Sequence, residues 1–582
     1  MALSVALLVA HAALRGAVFS SPVVVPLVGL ALVGFGLLGG AWPRPAGGER
    51  REKAPAWLPA VGLAVVLFGI FATPVFLEGT GVRAGDSTLH MGWTEQLLRG
   101  ESVPPGPAPE VARNAYPWGF HAVMATMIRL VPTTNTFVAQ EAMHLLFLLG
   151  LSLACACLAR RLHRGSGWAG AACGTLIAGW GWVSAKRVDF VASPLEARYG
   201  ADMVAASPNS VYELFPPALP RELGLVVLAA AGLLVLLTVR SGDRRVGLLA
   251  GVTCGLVGLI SVPLFFTALV WALVGAALAE PGTRVRMWLV VTAPALVVFG
   301  LWAGPVVFNY LRYDGFTNVT SQLGVEWPPL IALASWGFLA PLALAGIVLA
   351  WRSGTTEARV ILGFAAGVAV MLALARARSA FEWSLAGNAT ALHQGRIWPV
   401  AHLLGAAFGG AALAAGWQWL RARSEFLAPL AVATLVVAGS ISLWLSSQAF
   451  AHILREHEDS FLYTREEFAP GSFILNASAQ LDPSDVVQAP PNEHNVLGFW
   501  LFQFSGARVN GHSDSRYPGN ELRIRYRELA RRYAETMSSG GFAVDYVPVP
   551  AAEVGDDASD AVVAEGPFRG ETWVLVPPEA LD

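Results

Sequence analysis

Long apolar runs recur along the chain, separated by shorter polar connections. They occupy residues 2–18, 22–42, 56–77, 134–158, 166–184, 220–239, 246–262, 264–280, 287–309, 328–351, 358–375, 397–420 and 426–446. Several of them approach the ~20 residues that a helix needs to cross the hydrocarbon core of a bilayer. The pattern predicts a polytopic α-helical membrane protein with about thirteen transmembrane helices.

Two stretches of the sequence leave the number of helices open. The first two runs, with Arg15 near their junction, could be a hairpin or a cleaved signal, but no small-residue cleavage site precedes a polar mature start. We therefore keep both as helices. The stretch 246–280 is too long for one span and has Pro263 at its middle, so it predicts two short helices that meet at "SVPLF".

Basic residues mark every second connection, which predicts the orientation of the helices. By the positive-inside rule these short connections are cytoplasmic. The connections at 78–133, 185–219, 310–327 and 376–396, and everything after 446, are then external. The basic residues are Arg44, Arg50, Arg51 and Lys53; Arg160, Arg161 and Arg164; Arg240, Arg244 and Arg245; Arg284 and Arg286; Arg352 and Arg359; Arg421 and Arg423.

The composition changes after the last apolar run, which divides the chain into a membrane domain, 1–446, and a tail, 447–582. The tail has short apolar runs, "GSFILNAS", "VLGFWLFQF", "FAVDYVPVP" and "TWVLVPP", together with a helical "NELRIRYRELARRYAETM". Apolar runs that alternate with a helix predict a small α/β domain. By the orientation above, this domain is extracytoplasmic.

Composition and charge exclude several classes of protein. With 55% hydrophobic and 14% charged residues, the chain is not a soluble enzyme. Its net charge of -2 shows no basic excess that would suggest a nucleic-acid partner. The cysteines, Cys155, Cys157, Cys173 and Cys254, all lie in apolar runs, so they predict core residues rather than a disulfide framework or a zinc site.

The first external loop contains the most suggestive polar residues. "DSTLHMGWTEQLLRG" begins with a good N-cap, Asp86, carries apolar residues at helical spacing and ends at Gly100, which predicts a short helix just outside the membrane. Asp86 and His90 then share a face. The plain alternative is that Asp86 only caps the helix and His90 is a partly buried aromatic. The same loop supplies His121 in a second aromatic stretch, "NAYPWGFHAVMATMIRLVP".

The order of these features resembles the GT-C superfamily of integral-membrane glycosyltransferases, which use polyprenyl-phosphate sugars. The resemblance rests on an acidic residue in the first external loop, the following "YPWGFHA", about ten further helices and an external α/β tail. It is most similar to uncharacterised actinobacterial members and to the arabinofuranosyl- and mannosyltransferases of that cell wall, because "SFILNAS…NVLGFWLFQFSGARVNGHSDS" resembles their tail pattern. One departure is Ser261, where related chains often carry a His.

The resemblance implies transfer of a sugar, arabinofuranose or mannose, from a polyprenyl-phosphate donor to a cell-envelope glycan, lipid or protein on the outer face of the plasma membrane. An acceptor hydroxyl attacks the anomeric carbon, and Asp86, which matches the acidic position of the family, takes the proton. Because phosphate leaves without a strong general acid, one base can suffice. His90 would orient Asp86 or contact the donor phosphate, with a bystander role as the alternative.

Hydrogen-bonding and basic groups are expected near the donor phosphate at the outer helix ends. His393, Gln394 and Arg396 stand where a late helix enters from outside, and Arg396 is the leading phosphate ligand. The alternative is an interfacial arginine that lies beside Trp398. Arg221 belongs to a second group, although it could simply pair with Glu222.

Two other classes of function remain open. A transporter or lipid flippase predicts ionisable residues at bilayer depth. Glu141 and His144 are the best candidates, but both lie near the outer end of the fourth predicted helix. A non-catalytic scaffold would leave Asp86 as a cap and use the tail to bind a cell-envelope partner. No Walker, Asp-x-Asp or dinucleotide-binding pattern supports nucleotide use, and no compact ligand cluster decides whether a divalent metal binds.

Overall fold

A computed structural model describes most of the predicted helices and part of the tail. The described residues are 7–8, 10, 13–14, 17–28, 57–74, 77, 86–101, 117–131, 136–177, 219–313, 336–380, 394–456, 469–488, 495–510, 544–555 and 560–581. At 86–89 and 394–396 it describes the backbone alone.

The chain is mostly helical. The helices are α1 (Ala17–Ser20), α2 (Leu58–Phe71), α3 (Asp86–Leu98), α4 (Gly119–Leu130), α5 (Thr136–Leu162), α6 (Gly167–Thr175), α7 (Pro220–Ser241), α8 (Arg244–Ile260), α9 (Val262–Leu278), α10 (Arg284–Tyr313), α11 (Leu339–Ser353), α12 (Thr356–Ala380), α13 (Gln394–Arg421), α14 (Leu427–Glu456), α15 (Phe473–Gln480) and α16 (Asn495–Ser505).

Six helices are long and apolar enough to cross a membrane, within the part of the chain that the structure describes. They lie at Val138–Leu162, Pro220–Ser241, Pro281–Gly304, Thr356–Ala375, Ile397–Arg421 and Leu427–Gln448, and shorter apolar helices lie at Leu58–Phe71, Val262–Leu278 and Leu339–Ser353. The predicted class, a polytopic α-helical membrane protein, is confirmed. The first two predicted segments, 2–18 and 22–42, lie largely outside the described residues.

The predicted pair of short middle helices is confirmed. Each of α8 and α9 has 17 residues, and the extended backbone of Ser261 (φ -149°, ψ 110°) separates them. Pro263 stands in the first turn of α9, where a missing N–H costs no intrahelical hydrogen bond. Cys155, Cys173 and Cys254 are buried, as predicted for core residues, whereas Cys157 is only half-buried.

The described part of the tail combines helices with two small sheets. Strands β1 (Val486–Gln488) and β2 (Arg508–Asn510) pair in parallel, while β5 (Glu571–Val576) lies between β3 (Val547–Pro550) and β4 (Ala564–Phe568) in an antiparallel sheet. The turn between β4 and β5 is formed by Arg569 and Gly570, both with positive φ (49° and 85°), which suits a tight hairpin.

Two of the four apolar runs in the tail form helices, not strands. In "FILNAS" the buried residues are Phe473, Ile474, Ala477 and Ser478, a spacing that repeats after one helical turn instead of alternating as in a strand. "NVLGFWLFQFS" forms α16 in the same way. The other two runs supply β3 and β5. The predicted helix "NELRIRYRELARRYAETM" lies outside the described residues.

The chain divides into two compact units. One contains Met1–Ala46, Gly81–Glu141 and Leu454–Asp582, and so holds α1, α3, α4 and the tail. We call it the loop–tail unit. The other, the bundle unit, contains Gly47–Thr80 and Ala142–Ile453. The last apolar helix, α14, continues to Glu456, beyond the end of the apolar run at 446.

Candidate functional site

Helix α3 begins and ends close to where the sequence predicted. It runs from Asp86 to Leu98, and Gly100 follows with a φ of 107°, a left-handed conformation that ends the helix without strain at glycine. Trp93 and Leu97 lie on its buried face. The side chain of Asp86 is outside the described residues, so its role as a helix cap and its role as a general base both remain predictions.

Helices α3 and α4 bring two histidines together. His90 Nδ1 lies 3.0 Å from His121 Nε2, a hydrogen-bonding distance at which one ring donates its proton to the other. Both side chains are buried, at 4% and 0% exposure. Burial, and then the neighbouring His90, hold the pKa of His121 well below its ordinary value. His121 is therefore neutral near pH 7.

Aromatic rings surround the histidine pair. Trp93 lies edge-on to both imidazoles, with ring centroids 5.5 Å from His90 and 5.3 Å from His121. Phe120 lies 5.5 Å from His90, and Trp118 lies 5.9 Å from His121. The "YPWGFHA" stretch, of which residues 117–122 are described, thus supplies most of the surroundings of the pair. These contacts fix the orientation of both imidazoles.

A second polar cluster lies further along α3. Glu95 Oε2 is 3.9 Å from Arg99 Nε, and the carboxylate is 17% exposed. Burial raises the pKa of Glu95 to about 7, although Arg99, the Thr136 hydroxyl and Arg129 pull it down. Arg129 donates to the carbonyls of Phe19 and, at 2.7 Å, Leu98. The sequence analysis missed this cluster, although Glu95 and Arg99 have the i, i+4 spacing of a helical ion pair.

The tail packs against the same helix. Gln96 Nε2 donates to the carbonyl of Gly506 at 2.8 Å, and Trp93 forms a buried apolar cluster with Phe502 and Val509. Gly92 faces the Phe502 ring so closely that a Cβ there would overlap it. The helix that begins at Asp86 is thus held between α4 and the tail helix α16.

The remaining predicted site residues belong to the sequence range of the bundle unit. Arg221 pairs with Glu222, with Nη2–Oε1 at 2.7 Å and Nε–Oε1 at 3.0 Å, as the simpler interpretation of the sequence allowed. Glu222 also accepts from the backbone N–H of Leu219, at 2.9 Å, at the start of α7. Gln394 and Arg396 stand in the first turn of α13, but their side chains, and all of His393, lie outside the described residues.

The structure adds one buried histidine that the sequence analysis overlooked. His402, in the span Ile397–Arg421, is 5% exposed, and its ring nitrogens have no hydrogen-bond partner among the described residues. His144, in the span Val138–Leu162, is 1% exposed. Across the described part of the chain, no three or more His, Cys, Asp or Glu side chains cluster as metal ligands would.

Comparison with known proteins does not identify a family. No protein-family model and no curated protein matches the chain. Among solved structures it is similar to ArnT from Cupriavidus metallidurans bound to undecaprenyl phosphate, with 13% identity, a TM-score of 0.48 and coverage of 90% of this chain and 98% of that one. The apo state of ArnT gives 14% identity, a TM-score of 0.45 and coverage of 89% and 98%. Scores at this level do not establish a common fold, so neither the activity nor the ligand of that protein is carried over.

Proposed function

We propose that this chain is a GT-C-type membrane glycosyltransferase, which moves a sugar from a polyprenyl-phosphate donor to an acceptor of the cell envelope on the outer face. The observation that carries the proposal is the setting of α3. The helix that begins at Asp86 is built into a compact unit beside a buried His90–His121 pair and an aromatic surround. A loop that served only to connect two membrane helices would need no such unit.

The proposed reaction needs one proton acceptor. The oxygen of the acceptor hydroxyl forms a bond to the anomeric carbon, the bond from that carbon to the phosphate oxygen breaks, and the hydroxyl proton passes to the Asp86 carboxylate. The lipid phosphate leaves as an anion, which is stable enough without protonation by a general acid. Arabinofuranose or mannose is the proposed sugar, because the sequence motifs resemble enzymes that transfer these sugars.

We assign the histidines a positioning role, and we assign binding of the negatively charged phosphate to an arginine. A neutral, fully buried His121 supplies no positive charge to a phosphate, but its hydrogen bond with His90 fixes the turn of α3 that follows Asp86. Arg396, in the first turn of a candidate membrane helix, is the proposed phosphate ligand, since a guanidinium binds phosphate in a bidentate manner.

A direct test supplies membranes that contain the protein with decaprenyl-phosphate arabinose or mannose labelled in the sugar. Transfer of label from the lipid to a new product supports the proposal, and the labelled lipid that is consumed identifies the donor. Membranes from cells that lack the protein are the control. Labelled lipid that persists unchanged with both donors, in membranes where the protein is folded, would contradict it.

One observation favours a second candidate, a lipid flippase or transporter. His402 and His144 are buried ionisable groups within candidate membrane spans, where such residues often belong to a transport path. Proteoliposomes distinguish the two functions, because a flippase moves an intact labelled lipid between leaflets and leaves the sugar–phosphate bond unbroken. A His402→Gln variant that transfers sugar normally would separate this histidine from the transferase.

A further inference from the structure

A single arginine at the end of α3 joins α15 and α16, the two α-helices in the described part of the tail. Arg99 donates through Nη1 to the carbonyl of Leu481 and through Nη2, at 3.2 Å in each case, to the carbonyls of Ser478 and Phe504. Ser478 and Leu481 stand at the carboxyl end of α15, and Phe504 stands in the last turn of α16. One guanidinium therefore serves two helix ends.

The chemistry of helix ends explains why an arginine suits this position. The last carbonyls of a helix have no intrahelical partner and carry the negative end of its dipole. A guanidinium offers five N–H donors in a fixed plane and stays charged, so it can satisfy several such carbonyls at once. Glu95, in the last turn of α3, places its Oε2 3.9 Å from Arg99 Nε. A lysine keeps the charge but cannot span the same three acceptors.

The arginine acts on the same helix that carries the histidine pair. Trp93, six residues before Arg99, packs on His90 and His121 and joins a buried cluster with Phe502 of α16. Releasing the tail from α3 would therefore uncover one side of Trp93 and free the imidazoles that it holds.

We propose that Arg99 is a positioning residue of the candidate site, because it holds the carboxyl ends of α15 and α16 against α3. The tail is therefore part of the structure of the site. The tail is then not an independent module for a cell-envelope partner. The inference rests on the proposed function only for its kinetic consequence, because the contacts themselves need no particular reaction.

The structural consequence can be measured without any activity. In the full-length protein, diethyl pyrocarbonate modifies accessible histidines, and mass spectrometry reports each site. His90 and His121 are buried in the loop–tail unit, while His402 and His144 are buried in the bundle unit and serve as internal references. Arg99→Gln should accelerate modification of the first pair about 10-fold or more, since each charge-assisted hydrogen bond that is lost shifts an opening equilibrium by roughly that factor.

Matched variants decide whether the effect is local. Arg99→Lys should accelerate the modification less than Arg99→Gln. Arg240→Gln breaks a contact of 3.8 Å between exposed Arg240 and half-buried Glu357 in the bundle unit, and it should leave all four histidines protected. A folded Arg99→Gln protein in which His90 and His121 stay as protected as in the parent overturns the proposal.

A second substitution disturbs the same contact between α3 and the tail without changing a charge. Gly92→Ala places a methyl group on the buried Phe502 ring, which has little room to move, and should expose His90 and His121 in the same way. Modification of His402 and His144 would show that Arg99→Gln does not fold. In that case Gly92→Ala is the test, and protection of His90 and His121 in this variant would refute the role of the tail contact.

Kinetics separate positioning from mere stability. At a temperature where Arg99→Gln is folded, kcat for sugar transfer should fall on the order of 10²-fold, because small displacements of catalytic groups have that effect. KM for the lipid donor should stay within about twofold of the parent value, and Arg99→Lys should recover part of kcat. If Arg99→Gln exposes the histidines but kcat is unchanged, Arg99 has no positioning role. If the parent protein does not transfer sugar, the proposed function is wrong, but the labelling result still holds.

Discussion

The His90–His121 hydrogen bond can be tested by replacing His121 with phenylalanine. Phenylalanine keeps a flat ring of similar size against Trp93 and Trp118, but it cannot pair with His90 Nδ1. Leaving a buried polar atom without this partner costs about 1–3 kcal/mol. At pH 8, His121→Phe should therefore lower the local stability of α3 and α4 by about that amount.

The same substitution should change the pH dependence in a defined direction. Folded His121 stays neutral, because burial keeps its pKa well below the ordinary value of 6.5, whereas the unfolded residue takes up a proton below 6.5. Stability contributed by neutral His121 is thus present above pH 6.5 and lost as the pH falls. At pH 5.5 the parent therefore loses stability that the phenylalanine variant keeps, and this loss is at most about 1.4 kcal/mol.

Hydrogen exchange of peptides from α3 and α4, followed by mass spectrometry at pH 8.0 and 5.5, measures both effects locally. After correction for intrinsic exchange rates, the difference in local opening free energy between parent and variant should be largest at pH 8.0 and smaller at pH 5.5, by at most about 1.4 kcal/mol. As a control, His163→Phe removes a hydrogen bond of the bundle unit, in which His163 Nε2 lies 3.1 Å from Gln418 Oε1. It should leave the exchange of the α3 and α4 peptides unchanged. A difference that is constant or grows toward pH 5.5 would refute a neutral, hydrogen-bonded His121.

Other predictions concern the bundle, the phosphate ligand and the orientation. Gly346→Ala should destabilise the bundle unit by about 1–3 kcal/mol in thermal unfolding, because its Cβ meets the backbone of α13, while Gly300→Ala, which meets nothing within 4 Å, should not. Arg396→Ala should abolish most donor use in a transfer assay and Arg396→Lys should restore part of it; normal turnover by both would leave an interfacial anchor. Cysteines at Asp86 and Glu579 should both react with an impermeant maleimide on intact cells, and labelling of only one would overturn the orientation.

The hydrophobic pattern was enough to predict the class of fold and most helices. Runs of apolar residues identify membrane helices because a helix satisfies its backbone hydrogen bonds within one segment in lipid. Pro263 located the break between α8 and α9 to within two residues. The same pattern did not show which apolar runs of the tail are helices; "FILNAS" and "NVLGFWLFQFS" form α15 and α16. For runs of 8 to 11 residues that are apolar on several sides, periodicity does not separate a buried helix from a buried strand.

The site was predictable in part. Local spacing identified His90 and the aromatic stretch around His121, but not that the two rings meet, since 31 residues separate them. The three carbonyls that Arg99 binds lie about 380 to 405 positions further along the chain, and backbone acceptors leave no mark on a sequence. The sequence did offer the Glu95–Arg99 pair, because an acidic and a basic residue four positions apart on a predicted helix indicate an ion pair.

The proposed role of Asp86 is tested most directly by Asp86→Asn. Asparagine caps a helix about as well as aspartate, so hydrogen exchange in α3 and modification of His90 should match the parent. An amide cannot accept the hydroxyl proton, and transfer of labelled sugar from decaprenyl phosphate should fall by about 10²–10⁴-fold while donor binding persists. A folded Asp86→Asn protein that transfers sugar at the parental rate would contradict the account and leave this carboxylate as a helix cap.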